Sequence, residues 1–222
     1  CGGRVRVRVR VSAPLRAGWR STPAPPRAAR NGDASPLKIG PPTRSGPGRD
    51  LLRGEFDDDN FSQWLAFGGT WQGKDGELAV RSAENGPRLL AKSLNLADFD
   101  LEVEVMVDDR SQAGIVFRVD RAGHGIDAYR GYYVGLHGEK QRVMWGAALP
   151  GWNEIARRDT PVAPDKWHKL RAQVRGPKVS VFLNGEKRIE GSDGRLKTGL
   201  LGFRSLGKKA RFRNLVVRSN QE

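Results

Sequence analysis

The chain has 222 residues, 37% of them hydrophobic, and a formal net charge of +14. Residues 1–50 hold eleven basic and two acidic residues and contribute +9, whereas the remaining 28 basic and 23 acidic residues contribute only +5. A modestly charged folded part argues against a phosphate backbone as its partner, and no nucleic-acid partner is expected for it. No run of about 18 apolar residues occurs, which excludes a membrane-spanning helix.

Residues 1–50 are predicted to be a disordered tail or linker rich in Pro, Gly and Arg. The segment RVRVRVRV alternates as a strand would, but it would place four arginines on one face, where like charges repel. A basic tail can contact nucleic acid or an anionic surface, and Trp19 is its single aromatic residue, so this signal is weak. Cys1 is the only cysteine, which excludes an intramolecular disulfide.

From Leu51 onward, short segments with period-two alternation are separated by Gly, Asp, Asn and Pro. In DLEVEVMV the apolar residues from Leu101 to Val107 share one face, and AGIVFRVD repeats this from Ala113 to Val119. The pair Asn184-Gly185 predicts a two-residue hairpin turn, since both positions adopt positive φ. No segment has a sustained helical period. Residues 51–222 are therefore predicted to form one all-β, antiparallel two-sheet jelly-roll sandwich.

Large aromatic side chains on the apolar faces are the expected core of this sandwich. They are Trp64, Trp71, Phe99, Phe117, Trp167, Phe182, Phe203 and Phe212.

The ordered series FDDDNFSQWLAFGGTWQGKDGELAV, AGIVFRVD, YRGYYVGL, DKWHKLRAQVRGPKVSVFLNGE and GLLGFRS resembles the concanavalin A-like lectin/glucanase jelly rolls. Within them it is similar to the 3-keto-disaccharide hydrolase domain family and to the fructan-type carbohydrate-binding modules of glycoside hydrolases. The resemblance covers residues 55–219. It implies recognition of an oligosaccharide or polysaccharide on the concave face of one sheet. It also implies an extracellular or periplasmic location. Separately, the start CGG is loosely typical of a lipoprotein anchored through Cys1, although a truncated fragment is the favoured interpretation of this start.

The residues expected at the sugar site lie between positions 118 and 152. Polar and aromatic side chains can bind hydroxyl groups and the apolar face of a sugar ring. The candidates are Arg118, Asp120, His124, Tyr129, Arg130, Tyr133, His137 and Trp152.

Alternatives to sugar binding stay open for several of these residues. Arg118 fits equally well a structural ion pair with Glu104 or Asp120. Asp120 is more simply predicted to be a surface acid at the end of a strand, and His124 an exposed loop residue. Alternation requires one tyrosine of the pair Tyr132-Tyr133 to face the core, and the phase favours Tyr133 for the site.

Catalytic residues are not identified by the sequence, and a non-catalytic module is the favoured interpretation. Glycoside hydrolases need two flanking carboxylates, and Glu102, Glu104 and Asp108 lack the spacing of an E-x-D-x-x-E pattern. The 3-keto-disaccharide hydrolases often carry a Glu-Val-Gln-type motif after the tyrosine strand, from which the residues after Tyr133 depart.

If the domain is an enzyme, it acts on (3-keto) disaccharides, and His124, Asp127 and His137 are the plausible acid, base or metal groups. A structural or protein-binding adhesion module is the third hypothesis. No cofactor is required by any motif. The acidic run Asp57 to Asp59 could hold a structural Ca²⁺, although a solvated turn is the stronger interpretation.

Overall fold

The computed structural model describes residues 34–43, 48–83 and 85–220, and these residues form fifteen strands and no helix. Among them, therefore, no helical segment is long and apolar enough to cross a membrane. The strands are β1 (Ser35–Pro36), β2 (Asp50–Arg53), β3 (Trp64–Phe67), β4 (Thr70–Lys74), β5 (Glu77–Ala83), β6 (Arg88–Leu96), β7 (Phe99–Val107), β8 (Gln112–Ala122), β9 (Tyr129–His137), β10 (Arg142–Ala148), β11 (Trp152–Asp159), β12 (Trp167–Arg175), β13 (Lys178–Leu183), β14 (Glu186–Ser192) and β15 (Gly199–Arg218).

The strands build two antiparallel sheets that share β15. In the first sheet the order is β11-β10-β9-β8-β15-β6-β3, and in the second it is β14-β13-β12-β7-β15, with β5 and β2 along the far edge of β15. β15 leaves the first sheet after Leu206 and enters the second at Gly207. Gly207 has φ +116°, and a Cβ there would lie 2.7 Å from the Ser111 hydroxyl, so the crossing requires glycine. The predicted all-β jelly roll is confirmed.

The core between the sheets follows the predicted alternation. On β7 every second side chain from Phe99 to Val107 is buried in the core, while Asp100, Glu102 and Glu104 face outward. The Asn184-Gly185 turn joins β13 to β14, and both residues have positive φ, as the sequence predicts.

Six of the eight expected core aromatics pack in or against this core. Phe99, Phe117, Phe203 and Phe212 are fully buried, and Trp64 and Trp71 pack against them at the edge.

Trp167 and Phe182 were expected in the core and instead lie on the outer face of the second sheet. Their positions have the opposite parity to the buried residues of β12 and β13. The guanidinium of Arg213 lies 4.2 Å from the Trp167 ring centroid, and that of Arg171 lies 5.2 Å from the Phe182 ring. Cation–π contacts therefore cover rings that the core leaves out.

The folded domain begins earlier than the predicted boundary at residue 51. Residues 35–36 pair with Arg121 and Ala122 at the end of β8, and Leu37 and Ile39 pack on the first sheet. The Asn95 side chain donates to the Gly40 carbonyl at 2.7 Å. The linker prediction is therefore corrected for residues 34–43. Residues 48–50 also join the folded domain, since the Gly48 amide donates to the Asn220 carbonyl at 3.1 Å and β2 begins at Asp50. The rest of the predicted tail, residues 1–33 with Cys1 and residues 44–47, lies outside the described residues.

A hydrogen-bonded tyrosine ties the core to the connection between β14 and β15. The Tyr132 hydroxyl donates to Asp193 Oδ1 at 2.6 Å and accepts from the Leu196 amide at 3.1 Å. Burial by itself raises the pKa of Asp193, but hydrogen bonds from Arg195 and Tyr132 outweigh it and lower the pKa to about 2. Burial, aided by Asp193, raises the pKa of Tyr132 to about 12.

Asp193→Asn tests this arrangement through the pH dependence of stability. Because the folded-state pKa of Asp193 is depressed, its contribution is fully present above the unfolded pKa of about 3.9 and is lost as pH falls toward 2. We expect the variant to be less stable by about 2 kcal/mol at pH 6, with the difference shrinking between pH 4 and pH 2. Urea unfolding at several pH values measures this. A difference that stays constant down to pH 2 would contradict it.

Candidate functional site

A second apolar cluster covers the outer face of the first sheet, on the side away from the core. It includes Tyr129, Tyr133 and Met144, together with aliphatic residues of β6, β8, β10 and β15. Leu37, Ile39 and Trp152 pack over it in part. This is the face that the resemblance expects to be concave, and the candidate site lies here.

The loop 123–128 between β8 and β9 is folded over this face by one buried arginine. Arg88 on β6 donates through Nη2 to the carbonyls of Gly123, Gly125 and Ala128 at 2.5, 3.1 and 3.2 Å. Its Nη1 reaches Ile126 at 3.2 Å and Gly86 at 2.8 Å. Five carbonyls thus surround a guanidinium that is fully buried.

Arg88 stays charged despite its burial. Burial and the charge of Arg204 lower the pKa of Arg88 to about 10, so the guanidinium remains a cation at neutral pH. The Tyr129 ring lies 4.9 Å below it and adds a cation–π contact.

Arg204 is the register neighbour of Arg88 on β15 and is almost fully buried. Its Nη2 lies 3.3 Å from Asp127 Oδ1, so the loop supplies the counter-ion. The guanidinium also sits 4.9 Å from the Tyr133 ring centroid and 5.9 Å from the Trp152 ring. Arg204 therefore joins the folded loop to the aromatic residues of the sheet.

The first of two cavities beside the loop, here called the histidine cavity, has a volume of about 260 Å³. It lies where β8, β9, β10, β11 and β15 meet the tip of the loop. Its walls combine one half-buried tryptophan with hydrogen-bonding side chains of both charges. They are Gln112, Ile126, Asp127, His137, Lys140, Arg142, Met144, Trp152, Glu154, Arg204 and Leu206.

His137 is held as a neutral imidazole in this cavity. The Lys140 amide donates to Nδ1 at 3.3 Å, and the Gln112 side-chain amide lies 3.2 Å from Nε2. Burial, followed by the charge of Lys140, lowers the pKa of His137 below its ordinary value of about 6.5.

The second cavity, here called the arginine cavity, has a volume of about 320 Å³. It lies at the opposite end of the same strands, beside the turn 149–151 that joins β10 to β11. Its walls are Ala34, Arg121, Asp127, Tyr129, Arg130, Ala148, Leu149, Pro150 and Gly151. Asp127 lines both cavities, so they adjoin at the folded loop.

Tyr132 and Tyr133 face opposite sides of the first sheet, as alternation requires. Tyr132 is part of the core, and Tyr133 belongs to the outer cluster. Tyr133 is nevertheless fully buried, because Trp152 packs on it at 5.9 Å and Arg204 covers it. Gly146 makes room for Trp152, since a Cβ there would lie 2.5 Å from the indole ring.

Arg118 does not lie where the alternation places it. β8 contains a bulge between Phe117 and Arg121, and Arg118 has φ +51°. The bulge shifts the phase, so that Val119 joins the outer cluster and Arg118 turns to the end of the sandwich.

At this end of the sandwich the Arg118 guanidinium donates hydrogen bonds to three loops that connect strands. It donates to the carbonyls of Ala97 at 2.7 Å, Leu196 at 2.9 Å and Gly176 at 2.7 Å, and it pairs with Asp98 at 3.4 Å. It is 2% exposed and lines neither cavity. Its expected placement on an open face is therefore corrected. The alternative of a structural ion pair fits the structure, but the acid is Asp98 and not Glu104 or Asp120.

The other predicted site residues divide between the cavities and the surface. His137 and Trp152 line the histidine cavity, and Tyr129 and Arg130 line the arginine cavity. Asp120 pairs with Arg130 at 3.3 Å, and His124 is exposed at the loop tip, 6.0 Å from the Phe67 ring. Whether each contacts a sugar stays a prediction.

Four of the acids weighed for catalysis or metal binding are engaged elsewhere. Glu102 and Glu104 lie on the outer face of the second sheet and pair with Lys169 at 2.7 Å and Arg213 at 2.6 Å. Asp58 and Asp59 accept backbone amides of Asn60 and Gly73 at 2.8 Å. Among the described residues, no group of three or more His, Cys, Asp or Glu side chains is arranged to hold a metal ion.

A comparison with known protein families shows which family this chain belongs to. The sequence pattern of the 3-keto-alpha-glucoside-1,2-lyase-like domain matches residues 54–218. The chain belongs to this family. The match contains every strand from β3 to β15 and both cavities except Ala34.

Two solved structures share the fold of this 3-keto-alpha-glucoside-1,2-lyase-like domain. The carbohydrate-binding module CBM66 from Bacillus subtilis superposes with a TM-score of 0.65 at 23% identity, covering 72% of this chain and 98% of the module. A Bacillus subtilis protein of unknown function with a galectin-like fold superposes with a TM-score of 0.69 at 14% identity, covering 80% of this chain and 99% of that chain.

A curated relative, the levanase of Bacillus subtilis (strain 168), is 24% identical over 172 residues. This stretch covers 72% of the present chain but only 23% of the levanase. The chain therefore spans less than a quarter of this relative's length.

Arg88 and Arg204 hold the site together, and sequence analysis did not single them out. The signal that drew attention to Arg118, an arginine flanked by apolar residues, is also present in PRLL and GFRS. The long-range pairing of Arg204 with Asp127 has no local signature.

Arg88→Leu should release the loop 123–128. Hydrogen bonds to charged groups contribute about 1.5–3 kcal/mol each, and the variant leaves several loop carbonyls without a donor. We expect amide hydrogen exchange at Gly123 and Ala128, which bond within the loop, to accelerate at least about tenfold, a change of roughly 1.4 kcal/mol. Lys92→Leu, an exposed change on the same strand, is the control. Unchanged protection of the loop amides from hydrogen exchange in Arg88→Leu would show that Arg88 does not hold the loop in place.

Arg118→Leu should lower the free energy of unfolding by about 3 kcal/mol or more, because it leaves buried carbonyls unpaired. Arg130→Leu, which removes one partly exposed ion pair, should cost less than about 1 kcal/mol. Denaturant unfolding compares the two. Equal small losses would show that Arg118 is not the structural residue described above.

Proposed function

We propose that this domain binds a saccharide in the histidine cavity and acts as a non-catalytic recognition module. The observation that carries the proposal is the half-buried Trp152 ring beside a concave set of hydrogen-bonding side chains. A sugar ring presents an apolar C–H face and a rim of hydroxyl groups. An aromatic ring suits the first and mixed donors and acceptors suit the second.

The lining offers both hydrogen-bonding roles. Lys140 and Arg142 are donors, Glu154 is an acceptor, and Gln112 supplies one of each. Trp152 is held in place by Tyr133 beneath it and by Gly146 beside it. A stacking ring that is already fixed loses little conformational freedom on binding.

Hydrolysis through two carboxylates has little support at this cavity. Asp127 is engaged by Arg204 at 3.3 Å, and Glu154 by Arg157 at 2.6 Å. A general acid and a nucleophile or base would each have to be free to face the glycosidic bond. The proposal therefore assigns these acids to structure and recognition.

A second candidate function is elimination on a 3-keto-glycoside, suggested by family membership together with His137. A ketone at C3 acidifies the proton on C2. A general base that removes this proton allows a C1–C2 double bond to form as the C1–O bond breaks, and the protonated base can return the proton to the leaving oxygen. His137 is neutral at physiological pH, and its Nδ1 lone pair, which accepts from the Lys140 amide at 3.3 Å, can take a proton once that hydrogen bond opens. Because its pKa is lowered, activity that needs the neutral imidazole would persist below pH 6.5.

We also propose the kind of protein to which this domain belongs and its location. The levanase of Bacillus subtilis matches over a region the size of this domain, which supports a role as one module of a larger carbohydrate-active protein. We propose an extracellular or periplasmic location on the same ground.

Trp152→Ala tests the recognition proposal. The full chain is screened on a glycan array that includes levan oligosaccharides, and hits are titrated by calorimetry. We expect dissociation constants between about 1 mM and 1 μM, weakened at least about tenfold in the variant. Trp167→Ala, on the outer face of the second sheet, is the control and should bind as the wild type does. Retention of no glycan, or equal binding by both variants, would overturn the proposal.

A turnover assay with a 3-keto-glycoside distinguishes elimination, the second candidate function, from non-catalytic recognition, the first. Product formation that disappears in His137→Gln and persists below pH 6.5 would establish elimination. Binding without turnover would leave the recognition module.

A further inference from the structure

Two arginines stand directly opposite each other in the wall of the arginine cavity. Arg121 on β8 and Arg130 on β9 are register partners. Like charges in directly opposed positions of a sheet repel and destabilise the pair. A sheet that keeps them requires something nearby to offset this repulsion.

The described residues offset only half of this charge. Asp120 pairs with Arg130 at 3.3 Å. Arg121 has no ion-pair partner in the described part of the chain. Asp127, the acid in the lining, is committed to Arg204 at 3.3 Å. The cavity consequently carries an excess positive charge beside the apolar surfaces of Tyr129, Leu149 and Pro150.

The arginine cavity also adjoins the proposed sugar site, because Asp127 lines both. A ligand bound against Trp152 therefore has the arginine cavity within reach of a neighbouring ring. Guanidinium groups recognise carboxylate and sulfate groups through paired N–H donors.

We propose that the arginine cavity is an anion-selective subsite, and that the saccharide bound here carries an acidic ring next to the ring in the histidine cavity. Arg121 and Arg130 determine this specificity by binding the carboxylate or sulfate of that ring. The inference rests on the proposed function and narrows its ligand to acidic oligosaccharides.

The experiment uses the full chain and matched oligosaccharides. Each neutral parent is compared with the same backbone carrying one uronic acid, and with the same backbone carrying one sulfate. We expect one acidic form to bind at least about tenfold more tightly than its parent, and this preference to shrink as salt rises from about 50 to 500 mM. The better of the two forms identifies the anion.

Single variants test whether the arginine cavity is the source of this preference for the acidic oligosaccharide. Arg121→Gln should reduce it to about threefold or less, because the loss of affinity is larger for the acidic form than for the neutral parent. Arg53→Gln, an exposed arginine on β2 of the other sheet, is the charge-matched control and should keep it. Circular dichroism confirms that both variants are folded.

The outcomes separate this inference from the function on which it rests. Equal affinity for neutral and acidic forms, or a preference that survives in the Arg121→Gln/Arg130→Gln double variant, would overturn the subsite while the recognition module stands. Retention of no saccharide at all would overturn both.

Discussion

The site on the first sheet depends on a buried guanidinium that five carbonyls surround. Arg88 suits this task because its planar fork presents five donors, whereas a lysine ammonium presents three. It turns loop 123–128 back over an apolar face that water would otherwise contact, and so sets the position of Asp127. Asp127 in turn neutralises Arg204 and forms the boundary between the two cavities. Removing the first contact would therefore disturb every later one.

A second buried arginine organises the end of the sandwich in the same way. Arg118 gathers carbonyls from the connections β6–β7, β12–β13 and β14–β15, and it thereby ties both sheets together. These arginines differ from Arg121 and Arg130 in a property that can be observed. The buried pair spend their donors on backbone carbonyls, while the partly exposed pair keep donors available. Burial and carbonyl partners, rather than residue type, therefore separate the structural arginines from the two for which we propose a role in recognition.

The fold could be predicted from the sequence because alternation and turn residues act locally. β7 and the Asn184-Gly185 turn follow their patterns, and β12 alternates too, although Trp167 lies on the face opposite to the expected one. The site was predicted only in part, since His137 and Trp152 line a cavity while Arg118 does not. In β8 the pairing with β9 shifts by two residues between Phe117 and Arg121, which interrupts the alternation there. A bulge of this kind leaves no mark in an alternating sequence pattern. The Arg204–Asp127 pair spans 77 residues and depends on tertiary structure alone.

Electrostatics favours recognition over hydrolysis at this surface. The cavities combine engaged carboxylates with arginines and a neutral histidine, and no pair of free acids faces either cavity among the described residues. Hydrolysis would require two acids free to deliver and remove protons on opposite sides of a glycosidic bond, and this is why we propose recognition of hydroxyl and anionic groups instead. Elimination needs only one base, which is why His137 keeps that chemistry open for this family member. The excess charge at Arg121 takes part in neither reaction, and in the subsite that we propose it would act on the ligand itself by selecting acidic saccharides before any chemistry follows.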